Sequence, residues 1–330
     1  MGANASRRRS LLPPITSRSL GWVLSVLVLI LLVAVPLNGD DYWVRVLTGI
    51  FAVAVMAEGW NIIGGFTGYA AFGQVGWFGL GAYTVGVAMS RWGWPFWPSL
   101  IAAGLLPAVV AALIGVPILR LRGHYFAIAT LAFGIALGEL ANNLRYVGAS
   151  SGISLPIGPP FAFFYYVMLA VLVLAVVATW LIARSRLGYA LVAIRENEQA
   201  AAVLGVNTAL YKTAAFAISA LLTGLAGGVQ AYWSTSIYAP TVFDITRNVD
   251  LIVMALLGGA GTVLGPVVGA FLLDGLNEQL TGAFLQWHAV IFGAVVLLIV
   301  LFLPGGLGGL VAQGRTGVRN FLRDLKAFRV

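Results

Sequence analysis

The residues able to do acid–base, metal or nucleotide chemistry are few in this chain, and their spacing argues against most of it. Its two histidines, His124 and His288, have no carboxylate at metal-ligand spacing, so no zinc site is expected. Cysteine is absent, which removes disulfides and thiolate metal sites. Neither lysine, Lys212 or Lys326, follows the glycines of a phosphate-binding loop, and "GTVLGPVVG" (261–269) lacks the Lys-Ser/Thr that would complete one. The chain is therefore expected to hydrolyse no nucleotide, to carry no cofactor and to catalyse no reaction.

What remains is a scatter of polar side chains in or near apolar runs, among them Glu58, Asn61, Thr67, Gln74, Thr84, Glu139, Asn142, Asn143, Gln230 and Asp274. Charged groups in such runs are costly and tend to face a protein interior or a water-filled cavity. Glu58 stands one helical turn before Asn61, so both share one face, whereas Glu139 sits near a helix end and can reach an interface. The acids are too few and too scattered for a proton relay. Glycine breaks two runs, at "GGFTG" (64–68) and "GGAGTVLGP" (258–266), in opposite halves of the chain. Broken helices at comparable positions in two halves point to a translocation path; single glycines also serve simply to let helices pack closely. On the first reading the path would include Glu58, Asn61, Gly65, Thr67, Gly68, Gln74, Gly258, Gly259 and Gly261. On the second, the polar residues only hydrogen-bond helices together.

The elements that must hold these residues are membrane helices. The chain is 60% hydrophobic with a mean hydropathy of +0.96, far too apolar to cover a surface facing water. Crossing a bilayer core takes roughly 20 apolar residues as a helix. Candidate spans lie at Leu20 to Leu37, Val44 to Ile63, the glycine-broken Gly64 to Met89, and 99–119, 124–140, 161–183, 210–233, 249–273 and 285–303. No stretch alternates as a β-barrel strand would. An all-α polytopic membrane protein of eight to ten helices is expected.

The net charge of +8 is concentrated at the ends: Arg7, Arg8, Arg9 and Arg18 precede the first run, and Arg315, Arg319, Arg323, Lys326 and Arg329 follow the last. That is the positive-inside signal and predicts two cytoplasmic termini, not a nucleic-acid site. Two cytoplasmic ends require an even number of crossings, so one candidate among the nine should not cross singly. The suspect is 249–273, broken midway by Gly and Pro, which would be re-entrant or interrupted. The first run follows a basic patch as in a signal peptide, but it is long and lacks a small-residue cleavage site, so it is expected to stay as a helix. The division expected is a basic tail at 1–19, one transmembrane domain at 20–310 and a second basic tail at 311–330.

One stretch is out of character. "GYALVAIRENEQAAAVLGVNTALYK" (188–212) holds Arg195, Glu196, Glu198 and Lys212 just after Arg184 and Arg186, in a chain that is only 9% charged. Leu187, Leu191 and Ile194 form an apolar stripe, 195–199 is polar throughout, and Gly205 ends the pattern as a helix C-cap does. A helix lying on lipid headgroups is usually rich in Lys and Arg. The mixed charge here suits a protein partner better.

The segment "SRLGYALVAIRENEQAAAVLGVNTALYKTAAFAISALLTGLAGG" (185–228) resembles the cytoplasmic loop and following helix of bacterial branched-chain amino acid ABC transporter permeases. "GFTGYAAFGQVGWFGLGAYTVG" (65–86), "LRLRGHYFAIATLAFG" (119–134) and "LLGGAGTVLGPVVGA" (256–270) agree, in order and spacing, with the longer LivM-type subunit. The resemblance implies an importer in which this chain pairs with a second permease subunit, two ATP-binding subunits supply power, and a periplasmic binding protein delivers an amino-acid solute. It implies an inner-membrane location. It also makes the loop at about 184–212 the contact with an ATPase, with Arg195, Glu196, Asn197, Glu198, Ala201 and Gly205 as its residues and Ala200 beside them. The Glu198-to-Gly205 spacing is one residue longer than the common pattern, and the family commonly has Ser near Gly73-Gln74. Similar permeases carry urea, short amides or other amino acids. A self-powered, ion-coupled secondary transporter is the alternative from another class; it would need a coupling residue set and no ATPase.

Overall fold

A computed structural model describes residues 27–38, 40–283, 290, 293 and 294. The basic tails, the start of the first apolar run and nearly all of 285–303 lie outside the described residues.

The described residues fold as helices: α1 (Leu27–Leu37), α2 (Asp41–Trp60), α3 (Gln74–Ser90), α4 (Phe96–Ile118), α5 (His124–Asn143), α6 (Phe161–Arg184), α7 (Arg186–Val203), α8 (Thr208–Ser234), the single turn α9 (Ala239–Val242), α10 (Thr246–Gly258) and α11 (Gly265–Ala283). Among these residues five helices are long and apolar enough to cross a membrane: α2 with its extension to Gly65, α4, α5, α6 and α8. This is an all-α polytopic membrane protein. A minimal antiparallel pair, Ile153–Ser154 with Ser236–Ile237, ties the loop before α6 to the end of α8.

Local chemistry sets the helix ends. Asp40 caps α2 by accepting the Tyr42 N–H at 3.0 Å. Pro95 precedes α4, which also carries Pro107 and Pro117 internally, tolerable in a membrane helix whose neighbours satisfy the freed carbonyls. The glycine-rich run at 64–89 is not one broken span. It divides into a π-helical turn, Asn61–Gly65, that prolongs α2, then a non-helical segment, then α3. The 249–273 run is interrupted as expected, into α10 and α11.

Packing runs on small residues. Helix α8 is central, with α3 and α4 against it, and a Cβ added at Gly81 or Gly227 would collide with backbone carbonyls of the facing helix. Lipid tails are as apolar as leucine, so helix association in a membrane depends on such close approach rather than on the hydrophobic effect. The outward sides of α4 and α5 expose Ile101, Leu105, Leu113 and Ile128, the surface a bilayer would wet.

Candidate functional site

Residues 186–212 form a kinked structure with side-chain caps at Ser185, Asn197 and Asn207. Ser185 accepts the Gly188 N–H at 3.3 Å and starts α7, whose stripe of Leu191 and Ile194 is buried. At Asn197 the backbone is extended (φ −160°, ψ 106°), so α7 is two helices joined at that residue. The Asn197 carboxamide oxygen accepts the Ala200 N–H at 3.0 Å, the geometry of an N-cap for the short second piece. That piece closes on Gly205 at φ +87°, with Gly205 N–H donating to Ala202 and Val206 N–H to Ala201, a Schellman closure that needs glycine's left-handed freedom.

The kink turns Glu198 inward. Lys212 donates to Glu198 Oε1 at 2.7 Å, to the Leu119 carbonyl at 2.9 Å and to the Tyr69 oxygen at 3.0 Å. Tyr69 in turn donates to Glu198 Oε2 at 2.5 Å, and Arg122 stands 3.6 Å from that oxygen. The Lys212 side chain is only 4% exposed, yet all its ammonium protons are used. Burial pushes the Glu198 carboxyl up, but hydrogen bonds from Lys212 and Tyr69 and the charges of Lys212 and Arg122 outweigh it, holding the group below its ordinary value. Burial, then Glu198, raises the Tyr69 phenol, which stays a donor. This clasp joins α7 and α8 to the end of α4 and the loop after α2.

Arg195, just before the kink, reaches the other way. Its Nη1 donates to the Gly65 carbonyl at 3.1 Å, and its stem lies against Gly68. The same guanidinium borders Gly261, where a Cβ would come within 2.9 Å of Nη1. Asn61 completes the junction: its Nδ2 donates to the Thr262 carbonyl at 2.8 Å and its Oδ1 accepts the Gly261 N–H at 2.7 Å. The two glycine-broken segments, some 200 residues apart in sequence, thus meet through Asn61 and lie under Arg195. Gly258, Gly259 and Gly261 shape the tight α10–α11 connection, Gly261 with φ +80°. Thr67 donates to the Ile63 carbonyl and accepts the Tyr69 N–H, holding the turn at Gly68.

Glu58 and Gln74 are placed elsewhere. Both are fully buried between helices: Thr179 donates to Glu58 at 2.9 Å, and Gln74 donates to Ser219 at 3.0 Å and Thr223 at 2.5 Å. Their geometry is that of interhelical hydrogen bonding. Of the loop residues, Glu198 and Ala201 face inward, whereas Glu196, Asn197 and Gln199 are exposed. The outermost side chains are ones sequence reasoning passed over, Val203 at 88% and Leu204 at 83% exposure. The signal was available: two branched apolar residues directly before the capping glycine, at the end of a polar segment with nothing of its own to cover them. Tyr69, Arg122 and the Leu119 carbonyl were also missed, because only the fold brings them to Glu198. No group of three or more His, Cys, Asp or Glu able to hold a metal ion occurs among the described residues.

The family described as "Branched-chain amino acid transport system / permease component" matches residues 42–301. The high-affinity branched-chain amino acid transport system permease protein LivM of Escherichia coli is 30% identical over 86% of this chain and 73% of its own length. LivH, the corresponding permease protein of Salmonella typhimurium, is 29% identical over 56% of this chain and 59% of its own. The autoinducer 2 import system permease protein LsrC of Photorhabdus laumondii is 33% identical over 41% of this chain and 42% of its own. No solved structure matches the chain.

Proposed function

The chain belongs to the branched-chain amino acid transport system permease family, and on that premise we propose that it is a pore subunit of an ATP-driven amino-acid importer. A second permease subunit completes the pore, two ATP-binding subunits drive it and a periplasmic binding protein supplies the solute. Branched-chain amino acids are the solute class best supported, since LivM and LivH are both permeases for them. The chain sits in the bacterial inner membrane as one permease domain with both termini cytoplasmic, and the 184–212 loop meets an ATPase.

One observation carries this reading. The short capped helix ending at Gly205 presents Val203 and Leu204 outward, while Arg195, across the kink at Asn197, touches Gly65 and borders Gly261. Bare apolar side chains on a rigid knob suit a groove in a protein partner. Closure of the ATPase pair would move the knob, and the kink at Asn197 would pass that motion to the glycine-broken junction. ATP can shift the pore between inward- and outward-facing states only if the docked helix interacts differently in the two. Arg195 is the group positioned to do so at the junction; Glu196, exposed and ion-paired with Arg195 at 3.3 Å, is the one positioned to do so at the partner.

The test is Leu204→Glu in the assembled transporter. The expected outcome is a membrane-inserted chain that no longer co-purifies with the ATP-binding subunits and supports no ATP-driven leucine uptake. Full co-purification with normal uptake would overturn the docking assignment.

A further inference from the structure

At the end of the molecule away from the 184–212 loop, α2, α8, α10 and α11 enclose a cavity of about 410 Å³. That volume is in the range of small-molecule sites. Its lining is divided by chemistry. Arg247 and Asp250 come from one face of the start of α10, and Asp274 and Asn277 stand one turn apart on α11. The rest of the lining includes Val53 and Met56 from α2, Phe78 from α3 and Met254, one turn beyond Asp250 on α10, a set of aliphatic and aromatic side chains. A second cavity of about 360 Å³, bordered by Tyr42, Arg45 and Glu278, shares Gly49, Trp233 and Asp274 with the first and continues toward the start of α2.

The charges here are not paired off. Among the described residues the ion pairs all lie at the loop end, Arg122–Glu198, Lys212–Glu198 and Arg195–Glu196; Arg247, Asp250 and Asp274 make none. Opposite charges lining one partly enclosed space, without closing on each other, leave room for a ligand carrying both signs. The cavity also lies close to the glycine-broken junction. Met56 precedes Asn61 by five residues, about 7 Å of helix, and Asn61 is locked to Gly261 and Thr262.

We propose that this cavity is a binding site for one α-amino acid zwitterion, held with its carboxylate on Arg247, its ammonium between Asp250 and Asp274, and its aliphatic side chain against Val53, Met56 and Met254. The inference rests on the importer reading, for which it supplies a resting point for the solute within this subunit. The charged rim would reject solutes lacking either headgroup, because a site built for a polar group is left unpaired by an analogue without it. The apolar wall, which directs no hydrogen bond, would accept leucine, isoleucine and valine alike.

The experiment uses the whole transporter, purified and reconstituted without the binding protein for binding, and with it for uptake. Tritiated L-leucine is the probe, competed by leucinamide, which lacks the carboxylate, and by 4-methylpentanoate, which lacks the ammonium. The wild type is expected to bind leucine at least tenfold better than either analogue. Arg247→Gln should weaken leucine about 10- to 100-fold and abolish the preference over leucinamide. Asp274→Asn should abolish the preference over 4-methylpentanoate. Val53→Trp, which leaves the charges in place and fills the wall, should block leucine binding and uptake while the complex still assembles. Wild-type uptake with R247Q, D274N and V53W all taking up leucine normally overturns this site and leaves the importer standing. Leucine binding lost in these variants, with no ATP-driven uptake by the wild type, upholds the site and overturns the importer.

Discussion

Removing Glu198 should cost about as much as any substitution in the loop, and the cost should vanish when Lys212 goes with it. Lys212 is buried and spends its three N–H groups on Glu198, Leu119 and Tyr69 at 2.7, 2.9 and 3.0 Å. Glu198→Ala leaves that ammonium with two neutral acceptors. Breaking a buried pair from one side typically costs 3–5 kcal/mol, and because the Glu198 side chain is 15% exposed, water can enter and the lower end, about 3 kcal/mol, applies. Arg122, with a side chain 60% exposed, adds less than about 1 kcal/mol. Lys212→Met alone should cost about 2 kcal/mol, since Tyr69 and Arg122 remain on the carboxylate. The double variant should cost about 2 kcal/mol, not the roughly 5 kcal/mol of independent sites. Thermal unfolding of the purified chain in detergent reads this directly, Glu198→Ala lowering Tm by roughly 4 °C. Because folding lowers the pKa of Glu198, its stabilisation is complete above the ordinary value of 4.5 and is lost as pH falls through the depressed folded value. The wild type should therefore lose stability as pH falls from 4.5 through that depressed value, by an amount that Glu198→Gln does not show. Additive single and double costs would refute the clasp as a coupled unit.

Two further outcomes follow from the junction. Arg195→Ala removes the contact with the Gly65 carbonyl, so ATP hydrolysis by the reconstituted transporter should continue while leucine transported per ATP falls at least about fivefold, a coupling loss of roughly 1 kcal/mol; an unchanged ratio would exclude Arg195 from transmission. Gly258→Ala drives a methyl into the Gly265 carbonyl and should destabilise by about 2–4 kcal/mol in the same melting assay, whereas Gly275→Ala, in α11 with open space around it, should be neutral or stabilise by up to about 1 kcal/mol.

Much of the architecture was readable from residue order alone, because a bilayer imposes one dominant rule. Runs of about 20 apolar residues must be helices with their backbone groups satisfied internally, so α2, α4, α5, α6 and α8 were legible as spans, and glycine marked the breaks at 68–73 and 259–264. Gly205 likewise announced its cap, since few residues but glycine take that left-handed conformation. Side-chain destinations were a different matter. Glu58, Asn61 and Gln74 look alike in sequence, each a polar residue in an apolar run. Yet Glu58 accepts from Thr179 through one oxygen and Gln74 donates to Ser219 and Thr223, while Asn61 is the one of the three that bridges the glycine-broken segments. Glu198 looked as available to a partner as Glu196 until an extended residue at Asn197 rotated it onto Lys212, Tyr69 and Arg122. A hydrophobic pattern determines which segments must leave water, and that is a property of each segment by itself. Which polar groups meet is decided by contacts over 14 to 201 residues of chain, and those exist only once the helices have packed.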